Sequence, residues 1–217
     1  MAWLSPAFPV GAFAYSHGLE WAVERRWLHD RATLTEWLRD LLTHGAIRND
    51  MILLGEAWRL GARAYWDQLA EVNALALALQ PTAERHLETV TQGNAFLETV
   101  RAAWGGPDLG IVVKALAPDV AYPVAVGAVS AVHGLARTEV LHAFGLAAIS
   151  NLTSAAIRLS AVGQTDAQRT IAALMTDLAA CVVATERATL DDLGGAVYRS
   201  DIASLAHETQ YTRLFRS

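Results

Sequence analysis

Seven histidines, one cysteine and 22 acidic residues are the groups in this chain that could hold a metal or move a proton. His17 precedes Glu20 by three positions, which on a helix would set both on one face within reach of a shared cation. Two ligands make a poor metal site, and a histidine beside a solvated glutamate is the commoner arrangement. His207 is followed directly by Glu208, and neighbours in sequence diverge around a helix. His17 and His207 therefore stand as candidate ligands, but spacing alone establishes no metal site. His133 and His142 lie in apolar stretches, where hydrogen-bonded core histidines are expected, and Cys181 reads as a small buried hydrophobe. A single cysteine excludes an internal disulfide and any multi-cysteine metal centre. There is no G-x-x-x-x-G-K-S/T loop for a nucleoside triphosphate, no H-E-x-x-H, no G-x-S-x-G and no dinucleotide fingerprint. The expectation is a protein without catalysis or a resident cofactor of its own.

The two ends carry more information. Residues 5–20, Ser-Pro-Ala-Phe-Pro-Val-Gly-Ala-Phe-Ala-Tyr-Ser-His-Gly-Leu-Glu, crowd prolines, glycines and aromatics into an opening loop (1–15) and the start of a helix. A rigid lead-in accounts for Phe8 and Phe13 but does not require Tyr15, Ser16 or Glu20. Residues 207–217 end the sequence on Tyr211, Leu214 and Phe215 interleaved with Arg213 and Arg216. Terminal segments usually fray and are polar, so this composition suggests an anchor seeking a groove, since interface hot spots favour Tyr and Arg. The tail is expected to be mobile in the free chain and ordered against a partner.

Helical periodicity dominates what must position these ends. Leu34, Trp37, Leu38, Leu41 and Leu42 follow the i, i+3, i+4, i+7, i+8 spacing of one buried face, behind a capping box read at Thr33 and Glu36. Thr165 and Gln168 read as a second box, opening a helix that buries Ile171, Leu174, Met175, Leu178 and Val182. Tyr15, Leu19, Val23 and Trp27 can share a face of an early helix. Further helices are expected near 46–61, 64–80, 82–104, 123–135 and 138–160, with Pro81 and Pro123 at helix starts and Gly105-Gly106-Pro107 as the clearest breaker. Leu87-Glu88-Thr89-Val90 recurs at 97–100, one echo and not a repeat architecture. Strand-like alternation is missing. The fold class is all-α, a single domain (1–217) of about nine or ten helices.

Composition adds that 53% of residues are hydrophobic and only 18% charged, which is apolar for a water-soluble domain. Beyond the opening loop, the longest stretches without a formal charge, 120–136 and 140–157, are interrupted by polar residues and rich in Ala and Gly, so close-packed helices fit them better than a membrane span. The excess apolar surface suggests a dimer. A net charge of −5 points away from nucleic acid. No basic segment followed by an apolar run opens the sequence, so a cytoplasmic location is expected.

The run at 5–20 resembles the opening signature of the UreF family of urease accessory proteins, and the tail at 207–217 resembles its closing signature. Val162-Gly163-Gln164-Thr165 with Gln168-Arg169 is a third match at the expected distance before the tail. Ala14, where the family often has Ser, and Ala161, where it often has Pro, are small departures; at the position of His17 the family also carries Gln or Tyr. The resemblance implies an all-α dimer that binds UreD (also called UreH) and recruits the GTPase UreG to the urease apoprotein. In that setting nickel is handled transiently within the complex. It places partner contacts on Tyr15, Ser16, Glu20, Gly163, Gln164, Gln168, His207, Glu208, Tyr211, Arg213, Leu214, Phe215 and Arg216. The alternative is a regulator of the partner GTPase that supplies Arg213 or Arg216 in trans, as an arginine finger does.

Overall fold

Among the described residues, ten α-helices form the frame: α1 (Leu19–Glu24), α2 (Arg31–His44), α3 (Ala46–Gly61), α4 (Trp66–Ala78), α5 (Ala83–Ala103), α6 (Leu109–Leu116), α7 (Tyr122–Val132), α8 (Arg137–Arg158), α9 (Gln164–Arg187) and α10 (Tyr198–His207). Strands are absent among the described residues, which in this computed structural model are 2–106 and 108–217. Met1, and Pro107 of the breaker after α5, lie outside them.

The central helix is α7, whose residues from Pro123 to Ser130 are all buried between α3 and α5. Small residues make this possible. A Cβ on Gly127 would stand 2.3 Å from the Leu54 carbonyl oxygen, so the α3 and α7 backbones approach closer than any side chain permits. Around this pair, α2, α8 and α9 form a second packed group, and one continuous apolar core runs from Trp3 in the opening loop to Ala203 in α10. By length and hydropathy α8 and α9 could each cross a membrane; here they pack on one another, with α2 and α3 against them.

Several local expectations are corrected. The box that opens α2 is formed by Asp30 and Thr33: the Asp30 carboxylate accepts the Thr33 N–H (2.9 Å) and the Thr33 hydroxyl accepts the Asp30 N–H (3.1 Å). Asp30 starts the helix three residues before Thr33 does, and Thr33 becomes the answering residue instead of the cap. Thr165 is not a cap either, because α9 begins at Gln164 with Gly163 as its uncapped N-cap. The early helix is confined to Leu19–Glu24, since His17 and Gly18 before it both have left-handed backbone (φ 56° and 77°). Tyr15 is buried ahead of that turn and not on the helix. The two short helices α6 and α10 carried no periodic stretch long enough to announce them.

Candidate functional site

The chain's two ends meet over the first two turns of α5. Residues 208–217 form a strap, and the expectation of a loosely held tail fails: Phe215 and Ser217 are buried. The Ser217 main-chain oxygen accepts the N–H and the hydroxyl of Ser16, both at 2.6 Å, and the Arg216 N–H donates to the Ala14 carbonyl (2.8 Å). Glu20, in the first turn of α1, accepts the N–H groups of Leu214 (2.7 Å) and Phe215 (2.9 Å). The Phe215 ring is covered by the Arg158 guanidinium from the end of α8, 4.5 Å from the ring centre. These contacts satisfy strap amides that a free tail leaves to water, which is the physical reason the strap is ordered.

On α5 the same region contributes charge. Thr82 caps the helix by accepting the Arg85 N–H (3.1 Å), and Glu208 reaches in from the strap to accept the Ala83 N–H (2.8 Å). A carboxylate at this helix N-terminus also meets the positive end of the macrodipole. One turn on, Arg85 donates to Glu88 Oε2 (2.5 Å), while Glu88 Oε1 takes His17 (2.8 Å) and Gln92 (2.9 Å) and Oε2 takes the Ser217 hydroxyl (2.9 Å). Burial alone pushes the Glu88 carboxyl up; Arg85, His17 and Ser217 outweigh it and hold it below the ordinary carboxylate range. Burial and Arg85 together push His17 down, against the pull of Glu88, so its ring is neutral. Its Nε2–H donates to Glu88, and Nδ1 is left as a buried acceptor with no partner among the described residues.

His17, Asp50, Arg85, Glu88 and Gln92 are among the residues lining a cavity of about 80 Å³, with Tyr122, Phe144 and Asn151. Burial raises the Asp50 carboxyl to about 7, aided by Glu88 and opposed by Arg85. Beside this cavity, and sharing Ala12, Tyr122, Ala147 and Asn151 with it, lies a groove of about 810 Å³ between the opening loop and α8. Phe13 stands 72% exposed at that groove.

The pairing of His17 with Glu20 is not formed. His17 sits on the turn before α1 and bonds Glu88, whereas Glu20 bonds the strap and His207. His207 is wholly buried between Glu20 and Glu84. Among the described residues, no three histidines, cysteines or acids are arranged to hold a metal. His133, expected to be hydrogen-bonded, packs on Trp3, and its buried Nε2 has no partner among the described residues. Cys181 is buried as expected.

The remaining residues singled out at the ends divide by exposure. Tyr15, Ser16, Glu20, His207 and Phe215 are inside, and Glu208 is half-buried. Tyr211, Arg213, Leu214 and Arg216 face solvent, with Arg213 paired to Glu84 (2.5 Å). Gly163, Gln164 and Gln168 are exposed at the start of α9 and, among the described residues, share no hydrogen bond with either end. Arg85, Glu84, Asp50 and Arg158 were not singled out from the sequence. The Arg85–Glu88 spacing of one turn was the available signal, and it is common on solvated helices. Beside Tyr211 and Leu214 in sequence, α10 exposes Tyr198, Ile202 and Leu205, a helical stripe of apolar side chains.

A family model described as UreF matches residues 28–175. The chain belongs to the UreF family. Full-length relatives extend the match to both ends. "Urease accessory protein UreF" of Azorhizobium caulinodans is 52% identical over 216 residues, covering 100% of this chain and 93% of the relative. The protein of the same name from Rhodopseudomonas palustris (strain BisB5) is 54% identical over 217 residues, covering 100% and 89%. That of Methylobacterium radiotolerans is 51% identical over 217 residues, covering 100% and 95%.

Proposed function

We propose that this chain is a non-catalytic scaffold for nickel insertion into urease, which binds UreD (UreH) through its strap and α10 and recruits the GTPase UreG to the apoprotein. The observation that carries this reading is the division of labour within the strap. Phe215 and Ser217 are turned inward and pinned, so that Tyr211, fully exposed, and Leu214, 64% exposed, are presented on a fixed backbone. An apolar pair held in place loses less entropy on binding than the same pair on a free tail. The exposed stripe of Tyr198, Ile202 and Leu205 extends the patch along α10. Dimerisation belongs to the same reading, with the apolar groove beside Phe13 and Leu146 available to a second copy, and so does a cytoplasmic location.

Co-purification tests it. Tyr211→Ala with Leu214→Ser should leave helicity and melting unchanged and abolish capture of UreD, and hence urease activation. Full-strength capture by that double variant would refute the assignment of the patch. Sedimentation showing a strict monomer at micromolar concentration would refute the dimer.

A further inference from the structure

Among the described residues, two carboxylates line the cavity of about 80 Å³, and their situations are opposite. Glu88 of α5 is fully engaged by Arg85, His17, Gln92 and the Ser217 hydroxyl. Asp50 of α3 has neither a hydrogen bond nor an ion pair among the described residues, and loss of water around it pushes its carboxyl up to about 7. Arg85 attracts it and Glu88 repels it, so the pair on α5 gives it little net compensation. His17 is neutral and gives its one N–H to Glu88. An acid left unpaired in this way costs the fold stability, which is characteristic of a group kept for a ligand.

The other lining residues suit a small cation that carries N–H groups. Gln92 gives its side-chain N–H to Glu88, which leaves its amide oxygen as an acceptor. Tyr122 and Phe144 add two aromatic rings with centres 5.7 Å apart, and ring faces attract organic cations. One water needs roughly 10–15 Å³ of room, so the cavity takes a group of only a few heavy atoms. A bare divalent metal does not fit, since among the described residues no three histidines, cysteines or acids are arranged to hold one. We propose that this cavity is a binding site for a small organic cation, an alkylammonium or guanidinium group, held by the Asp50 carboxylate and the rings of Tyr122 and Phe144. The adjoining groove, which shares Ala12, Tyr122, Ala147 and Asn151 with the cavity, gives the route of entry. A free ion and the head of a lysine or arginine side chain share this chemistry. The site belongs to the free chain and does not rest on the function proposed above.

Nuclear magnetic resonance on the full nitrogen-15-labelled chain tests it, with methylammonium and guanidinium as probes. At about pH 8 the Asp50 carboxyl is mostly ionised and both probes keep their charge. With ionic strength held constant by sodium chloride, each probe should give saturable shifts centred on the amides of Asp50, Gln92 and Tyr122, with a Kd of about 10 mM or tighter. Asp50→Asn keeps the shape and removes the charge, and should weaken binding at least about tenfold. Phe144→Leu keeps an apolar side chain and removes the ring, and should weaken it severalfold. An amide-capped lysine separates the two sources of the cation. Binding as tight as that of methylammonium assigns the site to a side chain, and exclusion of the capped lysine assigns it to a free ion. Shifts that stay linear to about 50 mM, or saturable binding that Asp50→Asn leaves unchanged, overturn the proposal. If Asp50→Asn fails to fold, an unchanged affinity in Phe144→Leu overturns it as well.

Discussion

Ser16 and Ser217 are 201 positions apart, yet the Ser217 main-chain oxygen takes both the N–H and the hydroxyl of Ser16. The two ends of the described chain are thus a single structural unit, and the tail is part of the fold before any partner arrives. Removing the Ser16 hydroxyl should therefore cost stability directly. Ser16→Ala should lose about 1 kcal/mol in urea denaturation, the usual worth of one buried hydrogen bond. Phe215→Ala should lose about 2–4 kcal/mol, because it empties the space between the core and Arg158. Tyr211→Ala, fully exposed, should stay within about 0.5 kcal/mol of the native chain.

Arg85 and Glu88 are both buried, and their pair is flanked by His17, Gln92 and Ser217. Arg85→Leu alone should cost about 3–5 kcal/mol, because it strands a buried carboxylate. Arg85→Met combined with Glu88→Leu should cost clearly less than Arg85→Leu, which chemical denaturation of the two variants compares. The Glu88 carboxyl is held low in the fold, so its stabilisation is complete above the ordinary glutamate range and is lost as pH falls through and below that range. Acid unfolding of the native chain should accordingly be steeper than that of the double variant.

Asp50 has the opposite sign. Its carboxyl is raised to about 7, so the fold tolerates the neutral acid and resists the anion. The resulting penalty is absent below the ordinary aspartate range, grows with rising pH and is complete above about 7. Asp50→Asn should leave stability unchanged at about pH 4 and raise it by about 1–3 kcal/mol at about pH 8, as thermal melts at the two pH values will show.

Backbone approach makes a fourth test. Gly127→Ala should cost more than about 3 kcal/mol or prevent folding, since its Cβ would meet the Leu54 carbonyl at 2.3 Å. Gly18→Ala should be comparably severe, with a Cβ 2.6 Å from the Ser204 nitrogen and a φ of 77°. Gly110→Ala on α6 meets nothing within 4 Å and should stabilise by about 0.5–1 kcal/mol. Melting temperatures of the three variants decide this.

What the sequence determined by itself is the helical frame and the importance of its ends. Period 3.6 along Leu34 to Leu42 is a local property, and the structure buries all five of those side chains. The helix expected near 46–61 is α3, Ala46–Gly61, whose apolar residues fall within one continuous stretch. The signatures at 5–20 and 207–217 were legible as a family resemblance, which the full-length relatives bear out.

Only the tertiary structure decided what those ends do. Whether Phe215 points to a partner or inward depends on Arg158, 57 positions earlier on another helix, and no spacing within the tail encodes that. The twin segments at 87–90 and 97–100 make the same point. Glu88 is buried and Leu87 exposed, while Leu97 is buried and Glu98 exposed. A shift of ten residues turns a helix by about 280° from its starting face, so identical residues meet opposite surroundings. Charge follows the same rule: His17 was placed with Glu20 by proximity in sequence, but a left-handed turn at His17 and Gly18 sends it to Glu88 and leaves Glu20 for His207. Periodicity is written locally because each residue carries its own hydrophobicity. Pairing of buried charges is written between distant elements, because it is the low-polarity interior they jointly create that makes each charge need its partner.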